Sequence, residues 1–264
     1  MSAMNSAAGA ARQPLFAVDP ARDARFVVKE RWVDCANLPG DHPLHRVQFF
    51  HRQMNEEVDS LEASAQAVVD FPDAPWDLRM QLARQCADEA RHARAYRAQV
   101  EQRGGHVGQF PVLNFQYRII SARGDLISRL VIQNRSFEAG GLDAIAFGVN
   151  EARAQGDDAL ADFYEAQLAD EISHVRFANE WIRKALKEDP RTLLRMGRAL
   201  SEAAEAFRLV MGSEGTEGVE YPAAIQERLD AGFTAEEVKT AADLAATVYA
   251  GRLATPSAVQ RPGA

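Results

Sequence analysis

Apolar side chains recur at intervals of three and four residues along most of the chain, and in four places an acidic residue interrupts the apolar stripe. Around Glu57, for example, the same helical face carries Phe50, Met54, Leu61 and Val68. This periodicity is typical of α-helices that bury one face. The other three acidic residues on apolar stripes are Glu89, Glu138 and Glu171. The pattern therefore predicts a helical protein in which four carboxylates face the core.

Prolines, glycines and a capping motif set the expected helix boundaries. The four long helices are expected at about 43–69, 75–104, 118–154 and 158–187, and a fifth at about 190–212. Residues 105–117 form a long crossover between the first two helices and the next two. Two short helices follow the loop at 212–220, and Thr234-x-x-Glu237 is a capping box at the start of the second one. We therefore predict an all-α fold, a four-helix bundle of two helical hairpins joined by a long crossover, with additional C-terminal helices.

Composition divides the chain into four segments. Residues 1–20 are rich in Ala, Ser and Gly and lack periodicity, so we expect a disordered N-terminus. Residues 21–42 carry scattered apolar positions and are expected to form an extended lead-in across the bundle. Residues 43–187 form the bundle, and residues 188–264 form a C-terminal helical extension that serves as a lid, a brace or an oligomer contact.

One octapeptide occurs twice. Residues 87–94 read Ala-Asp-Glu-Ala-Arg-His-Ala-Arg, and residues 169–176, 82 positions later, read Ala-Asp-Glu-Ile-Ser-His-Val-Arg. Each copy contains Glu-x-x-His, which places a carboxylate and an imidazole side by side on one helical face. Two such pairs on facing helices, with one Glu from each of two further helices, make the ligand set of a di-iron or di-manganese four-helix bundle. The repeat therefore predicts a site for two metal ions.

The two lone carboxylates come from the helices that precede each pair. Glu57 and Glu138 stand 81 positions apart and begin the similar strings Glu-x-x-x-Leu-Glu-Ala and Glu-x-x-x-Leu-Asp-Ala. Glu56 and Glu62 compete with Glu57 for the first role, but only Glu57 lies on an apolar face. The predicted metal ligands are therefore Glu57, Glu89, His92, Glu138, Glu171 and His174.

The apolar surroundings of these carboxylates favour a metal site. An unpaired carboxylate on an apolar face costs on the order of several kcal/mol to desolvate, and four of them at one level of a bundle would repel one another without cations. In the competing interpretation they are solvated helix-face charges, with Arg91, Arg94 or Arg176 as local partners. Two iron ions are the expected cofactor, although the same ligands suit manganese or a mixed manganese–iron pair.

Two aspartates next to the ligands are candidates for a supporting role. Asp88 and Asp170 precede the ligand Glu in both copies of the repeat. A metal-bound His commonly donates its other ring N–H to a carboxylate, so Asp88 and Asp170 are expected to hold the His of the opposite copy. The alternative is that they face solvent or pair with Arg91 and Arg94.

Three further features near the ligands allow two interpretations each. Glu62 and Asp143 match across the repeat and either support the ligands or form a buried structural pairing. Tyr164 lies two turns before a ligand on its face and either orients a substrate or transfers a radical, or it simply packs in the core. Gly140-Gly141 follows Glu138 directly and either leaves a cavity or π-bulge beside the metals or allows close helix packing.

Charge and cysteine content narrow the functional class. The net charge is −8 without a Lys/Arg block, which disfavours a primary nucleic-acid surface, although four arginines lie between residues 118 and 135. No apolar run reaches the length that spans a bilayer, so we expect no membrane insertion. Two cysteines and the lack of a signal-peptide pattern indicate a reducing, cytoplasmic location.

The six ligand positions together resemble those of the ferritin-like di-iron carboxylate proteins, in which a lone Glu and a Glu-x-x-His each occur twice. Asp88-Glu89-Ala90-Arg91-His92 is similar to the Asp-Glu-x-Arg-His string of bacterial multicomponent monooxygenases. Residues 43–187, with Phe71-Pro72-Asp73-Ala74-Pro75 and residues 137–143, resemble a bacterial ferritin-like branch catalogued as a domain of unknown function and related to the tRNA-modifying di-iron hydroxylases. Residues 190–264 lie outside the resemblance.

The resemblance implies iron-dependent O₂ chemistry. We expect a non-haem di-iron oxygenase or oxidase of the hydroxylase type that acts on a small organic substrate. A ferroxidase or iron-handling protein, a tRNA-modifying hydroxylase and a metal-sensing regulator are the alternative functions. The chain has no dinucleotide or flavin motif, so electrons are expected from a separate donor, from the substrate or from a chemical reductant. A homodimer is the candidate assembly.

Overall fold

The computed structural model describes residues 22–35, 37–215 and 221–254, and over these residues the protein is an all-α helical bundle, as predicted. In chain order the helices are α1 (His45–Asp70), α2 (Trp76–Gln102), α3 (Phe115–Ser121), α4 (Leu126–Ile132), α5 (Ala139–Ala154), α6 (Asp158–Glu188), α7 (Thr192–Gly215), α8 (Ile225–Asp230) and α9 (Ala235–Ala254). A π-helical segment, Gln133–Glu138, joins α4 to α5, and a 3₁₀ turn covers Trp32–Asp34. The predicted disorder of residues 1–20 lies outside the described residues.

Two long hairpins form the bundle. In the first hairpin α1 packs against α2, in the second α5 packs against α6, and α2 also contacts α6. Phe71 ends α1 and Pro75 caps the start of α2, because proline has the right φ for a first turn and no N–H to leave unsatisfied. The largest apolar side chains that are fully buried between the helices include Phe50, Leu82, Leu142, Leu160 and Ile182.

The crossover between the hairpins is tied to the lead-in by a short parallel sheet. Strand β1 (Val28–Lys29) of the lead-in pairs with strand β2 (Val112–Leu113) of the crossover. Gly108 lies against the lead-in with a φ of 83°, and a Cβ atom there would stand 2.2 Å from the carbonyl oxygen of Arg25. Only glycine fits this approach, so the crossover sequence is adapted to the lead-in that covers it.

The predicted third helix over 118–154 is wrong as one continuous element. The structure divides it into α3, α4, the π segment and α5, with a turn at residues 122–125. Asp125 causes the restart, because its side chain accepts a hydrogen bond from the backbone N–H of Ser128 at 2.9 Å and caps α4. The helix also begins earlier than expected, at Phe115, within the predicted crossover.

The C-terminal helices lie on the outside of the bundle. α7 packs against α3 and α4, and α8 packs against α5 and α6. Within α7 the backbone of Gly212 has a φ of 62°, so the regular helix breaks where the sequence predicted its end. The capping box is confirmed, since Thr234 N donates to Glu237 Oε2 at 2.8 Å and Glu237 N donates to Thr234 Oγ1 at 3.2 Å. The helix that follows, α9, spans 20 residues and is longer than predicted.

None of the helices in the described ranges combines the length and the apolar character that crossing a membrane requires.

Candidate metal centre

The six predicted ligands converge inside the bundle from α1, α2, the end of the π segment and α6. The first group consists of Glu57, Glu89, His92 and Glu171, and the second of Glu89, Glu138, Glu171 and His174. In each group one oxygen or nitrogen atom per residue lies within 4.8 Å of the others. Because Glu89 and Glu171 belong to both groups, the arrangement offers two adjacent cation positions that share two carboxylates.

Both imidazole rings present the same nitrogen to the carboxylates. His92 Nδ1 lies 3.3 Å from Glu57, 3.1 Å from Glu89 and 3.4 Å from Glu171. His174 Nδ1 lies 3.5 Å from Glu89 and 3.4 Å from Glu171. The i,i+3 spacing within α2 and α6 therefore does what the repeat predicted, since each helix delivers one carboxylate and one imidazole to the same place.

The opposite ring nitrogens contact aspartates across the bundle. His174 Nε2 lies 3.2 Å from Asp88, and His92 Nε2 lies 3.2 Å from Asp170. Arg91 contacts both aspartates, and its Nη1 atom lies 3.1 Å from Asp88 Oδ1. The two interpretations from the sequence are thus both represented: each aspartate contacts the His of the other hairpin and also the shared Arg91. Such contacts fix the orientation of a ring whose other nitrogen faces a metal position.

Glu138 is surrounded by hydrogen-bond donors. Asn134 Nδ2 donates to one carboxylate oxygen at 2.8 Å. The other oxygen is contacted by Ser60 Oγ at 2.9 Å, by Gln133 Nε2 at 3.4 Å and by the side-chain amide of Gln85. Two of these residues belong to the π segment, whose wider turn brings both amides to the carboxylate that ends it. This side of the centre is therefore filled by protein dipoles.

Glu57 has far fewer partners. Gln167 Nε2 donates to Glu57 Oε1 at 2.8 Å, and Tyr96 Oη donates to Gln167 Oε1 at 2.9 Å. The remaining contact is with His92, and all four side chains are buried. A chain of two hydrogen bonds thus runs from the Tyr96 phenol to this carboxylate.

The sequence interpretation missed Gln85 and Gln167, although a signal for them was present. Each glutamine stands four residues before the Glu of a Glu-x-x-His pair, so the two are also 82 positions apart. Each donates to the lone carboxylate of the other hairpin. Extending the repeat two residues upstream would have found them. Ser60, Gln133 and Asn134, which also contact Glu138, have no such repeat in the sequence.

The pKa values of the carboxyl and imidazole groups at the centre depart from their usual ranges. Burial raises the pKa of Glu57 well above its usual range, and burial together with the charges of Glu171 and Glu89 raises the pKa of Glu138 to about 8. Burial opposes ionisation of Glu171 as well, but hydrogen bonds from His174 and His92 outweigh it and lower the Glu171 pKa to about 2. Burial lowers the pKa of both imidazoles, yet the neighbouring carboxylates reverse this and raise it. A cation at either position would take the place of protons and reduce the repulsion among these carboxylates.

Glu62 and Asp143 form half-buried ion pairs with arginines from outside the bundle. Arg22 of the lead-in donates to Glu62 at 3.1 and 3.0 Å and also contacts Asp59. Arg228 of α8 donates to Asp143 at 2.9 and 2.6 Å. Of the two interpretations, the structural pairing describes the contacts of Glu62 and Asp143. Through these ion pairs the lead-in and α8 are attached to matching positions of the two hairpins.

A cavity of about 730 Å³ reaches Tyr96, two hydrogen bonds from Glu57, and none of the six candidate ligands belongs to its wall. Its wall includes Tyr96, which begins the hydrogen-bond chain to Glu57, and Tyr164, which the sequence proposed as a substrate-orienting residue. Tyr164 packs closely on Gly148 of α5, where a Cβ atom would stand 3.2 Å from the phenol ring. Tyr164 therefore lines a cavity, and its role in orienting a substrate stays a prediction.

Gly140 and Gly141 do not line this cavity, whose wall includes Ala144, Ile145 and Gly148 further along α5. Close helix packing does not explain the glycine pair, because a Cβ atom at either position would meet nothing within 4 Å. Space for a substrate beside the two glycines stays a prediction. The predicted π-bulge is present, but it lies just before the glycines and ends at Glu138.

Fold and site together define a helical bundle with a buried carboxylate–histidine cluster that can hold metal ions. The chain matches the family described as "Protein of unknown function (DUF455)" over residues 2–239, and it belongs to that family. No curated protein and no solved structure matches the chain significantly.

Proposed function

We propose that this protein is an O₂-dependent non-haem di-iron oxidoreductase, an oxygenase or oxidase with a ferritin-like bundle, and that it acts on a small organic substrate. The observation that carries the proposal is the unequal surroundings of the two cation positions. Amide and hydroxyl donors surround Glu138, whereas the hydrogen bonds from Glu57 through Gln167 to Tyr96 lead to a cavity of about 730 Å³. A cavity of this size fits the range of small-molecule sites, about 300–1,000 Å³.

The donor set of the centre suits iron. Four carboxylates and two imidazoles with two shared carboxylates are the ligands that the ferritin-like di-iron and di-manganese proteins use. Glu57 and His92 would hold one ion, Glu138 and His174 the other, and Glu89 and Glu171 would contact both. Two ferrous ions bound there supply the electrons with which O₂ is first reduced. The same ligands accept manganese, so the choice of metal belongs to the proposal.

The chain's own residues prepare the site in three ways. Asp88 and Asp170 hold the rings of His174 and His92 so that both Nδ1 atoms face the carboxylates. Gln167 fixes one oxygen of Glu57 and leaves the other on the side of His92. The aromatic wall of the cavity excludes water from an organic molecule bound next to the centre.

Hydroxylation of a C–H bond consumes one O₂, two electrons and two protons and forms one water molecule. Since the sequence carries no dinucleotide or flavin motif, we assign electron delivery to a separate redox protein. A ferroxidase is the alternative that the same ligands allow. The donors around Glu138, together with the aromatic side chains of the cavity, favour an oxygenase. A tRNA substrate is disfavoured by the net charge of −8.

Metal analysis and O₂ uptake test the proposal together. The protein is loaded anaerobically with ferrous iron, desalted, analysed for iron, and mixed with O₂ and a chemical reductant. We expect about two irons per chain, and O₂ uptake that organic compounds bound in the cavity increase, with oxygenated product formed. Continued oxidation of many ferrous ions per chain, unaffected by any organic compound, would assign the protein to ferroxidases instead.

A further inference from the structure

The cavity beside the centre carries two guanidinium groups on one wall. Arg46 and Arg52 of α1 both contact the Phe49 ring, with their central carbons 5.7 and 5.9 Å from the ring centroid. Arg46 also lies 4.8 Å from the ring of Phe50, and Arg52 lies 5.3 Å from the ring of Trp32. These aromatic contacts hold the two cations in place at the wall and leave the edges of the guanidinium groups for other partners.

Neither guanidinium has a hydrogen-bond acceptor among the described residues. The nearest carboxylate oxygen is Glu56 Oε1, 3.9 Å from Arg52 Nε, which is beyond hydrogen-bond distance. Asp59, which also lines the cavity, contacts Arg22 and accepts a hydrogen bond from Asn114 at 3.2 Å. The donors of Arg46 and Arg52 are therefore available to a ligand.

Aromatic rings and polar side chains share the rest of the wall. Besides Phe49, rings line the cavity from the lead-in, the crossover, α3, α5, α6 and the segment before α8; they include Trp32, Phe110, Phe115, Phe147, Tyr164 and Tyr221. These rings fit a flat or apolar body. Glu56, Asp59 and Glu151 place carboxylates in the same wall. Aromatic rings beside two guanidinium groups that have no hydrogen-bond acceptor among the described residues are typical of a site for an amphipathic anion.

The two arginines stand at a suitable distance from the centre. Arg52 precedes Glu57 by five residues on α1, which is about 7.5 Å along a helix at 1.5 Å per residue. If the acidic group of a ligand binds Arg52, the one or two rings of the same ligand therefore reach Tyr96 and the Glu57 side of the centre. Arg46 lies further out, where it is exposed and can attract an incoming anion.

We propose that this cavity binds an organic acid with an aromatic or apolar body, whose carboxylate or phosphate is held by Arg46 and Arg52 and whose body points toward the Glu57 side of the centre. This inference rests on the proposed function, since it names the substrate class of the same site.

Two fluorescent probes with one aromatic body test the proposal. 8-Anilinonaphthalene-1-sulfonate carries an acidic group, and N-phenyl-1-naphthylamine has the same rings without it. Both are titrated into the iron-loaded protein and into the variants Arg46→Gln and Arg52→Gln. The matched control is Arg97→Gln, which replaces an exposed arginine of α2 that donates a hydrogen bond to Glu101. Competition by 1-naphthoate and 1-naphthyl phosphate then distinguishes the two acidic groups.

We expect each cavity variant to weaken binding of the sulfonate probe about tenfold, to leave the neutral probe within about twofold, and to differ from the control, which changes neither. Equal effects on both probes, or sulfonate binding unchanged in both cavity variants, would overturn the acid site. The titrations need no turnover, so the two proposals fail separately. Arginine-dependent binding without O₂ uptake supports the acid site and removes the oxygenase, and O₂ uptake without such binding does the reverse.

Discussion

The two hairpins supply the same types of candidate ligand, but the lone carboxylates of the two hairpins have different hydrogen-bond partners. In the first hairpin Glu57 lies on a regular helix and accepts one amide hydrogen bond, from Gln167. In the second hairpin Glu138 ends a π-helical segment, and four side chains donate to it or contact it. A duplicated pattern has therefore produced a centre with similar ligands on both sides and different environments around them.

One pair of matched positions illustrates the difference. Ser60 follows Glu57 by three residues, and Gly141 follows Glu138 by three. Ser60 Oγ lies 2.8 Å from Glu89 and 2.9 Å from Glu138, whereas Gly141 offers no side chain and a Cβ there would meet nothing within 4 Å. The first hairpin thus adds a hydroxyl beside Glu138, and the second has no side chain at the matching position. We expect chemistry that needs room on the Glu57 side, toward the cavity that Tyr96 lines.

The largest loss of iron is expected when a carboxylate that belongs to both cation positions is replaced. Glu171→Gln removes a carboxylate common to both groups, so we expect bound iron to fall from about two per chain to well below one. Glu57→Gln and Glu138→Gln each remove a ligand of one group and are expected to lose about one iron. Metal analysis after anaerobic loading and desalting measures this. Glu180→Ala, on the exposed face of α6, is the control, and full iron content in Glu171→Gln would contradict the shared role.

Metal removal should loosen the bundle, because like charges from both hairpins then lie close together. Metals bind the folded chain, so two ions at about 100 times their dissociation constants raise the melting temperature by about 10 °C. Calorimetry at neutral pH of the iron-loaded and chelator-treated protein measures the difference. For Glu171→Gln we expect the iron-loaded and the chelator-treated protein to have the same melting temperature. Equal melting temperatures in the unmodified protein would argue against a buried cluster that binds cations.

The clustering of the six candidate ligands and the helical class could be predicted because each depends on local spacing. Glu57 was separated from Glu56 and Glu62 by its apolar face alone, and the structure places Glu56 at the cavity and Glu62 against Arg22. The break of the third helix could not be predicted in the same way, since a single capping side chain, Asp125, decides it.

The cavity that Tyr96 lines could not be predicted, for a physical reason of a different kind. The glycine pair at 140–141 gave a local signal, but the wall of this cavity combines the lead-in, α1, the crossover and α5. Its shape depends on how distant segments pack, as where Tyr164 of α6 lies against Gly148 of α5. Resemblance of the ligand set carries no information on these contacts.

The two matched glutamines allow a sharper test of the asymmetry. Gln167→Ala leaves Glu57 without an amide donor, so we expect iron affinity at one position to fall about tenfold. Gln85→Ala leaves Glu138 with Ser60, Gln133 and Asn134, and its effect is expected to be within about threefold. Anaerobic calorimetric titration with ferrous iron measures both. Equal losses in the two variants would show that the extra donors around Glu138 do not support it.

The smallest effect concerns a histidine that the second hairpin lacks. His51 is buried on α1, and the matching position of the second hairpin, 81 residues on, is Ile132. Gly108 N donates to His51 Nε2 at 2.9 Å, which attaches the crossover to the first hairpin. Burial, with a smaller contribution from His106, lowers the pKa of His51 from 6.5 to about 4.

The pH dependence follows from the sign of that shift. Since the folded chain binds the proton more weakly than the unfolded chain, the stability that neutral His51 contributes is complete above pH 6.5 and is lost as the pH falls toward 4. His51→Gln keeps an acceptor for Gly108 but does not titrate. Between pH 6.5 and 5 we expect its melting temperature to fall about 3 °C less than that of the unmodified protein, with both metal-free. His45→Gln, at the start of the same helix, is the control. Parallel curves for the unmodified protein and His51→Gln would show that protonation of His51 does not loosen the contact between the crossover and the first hairpin.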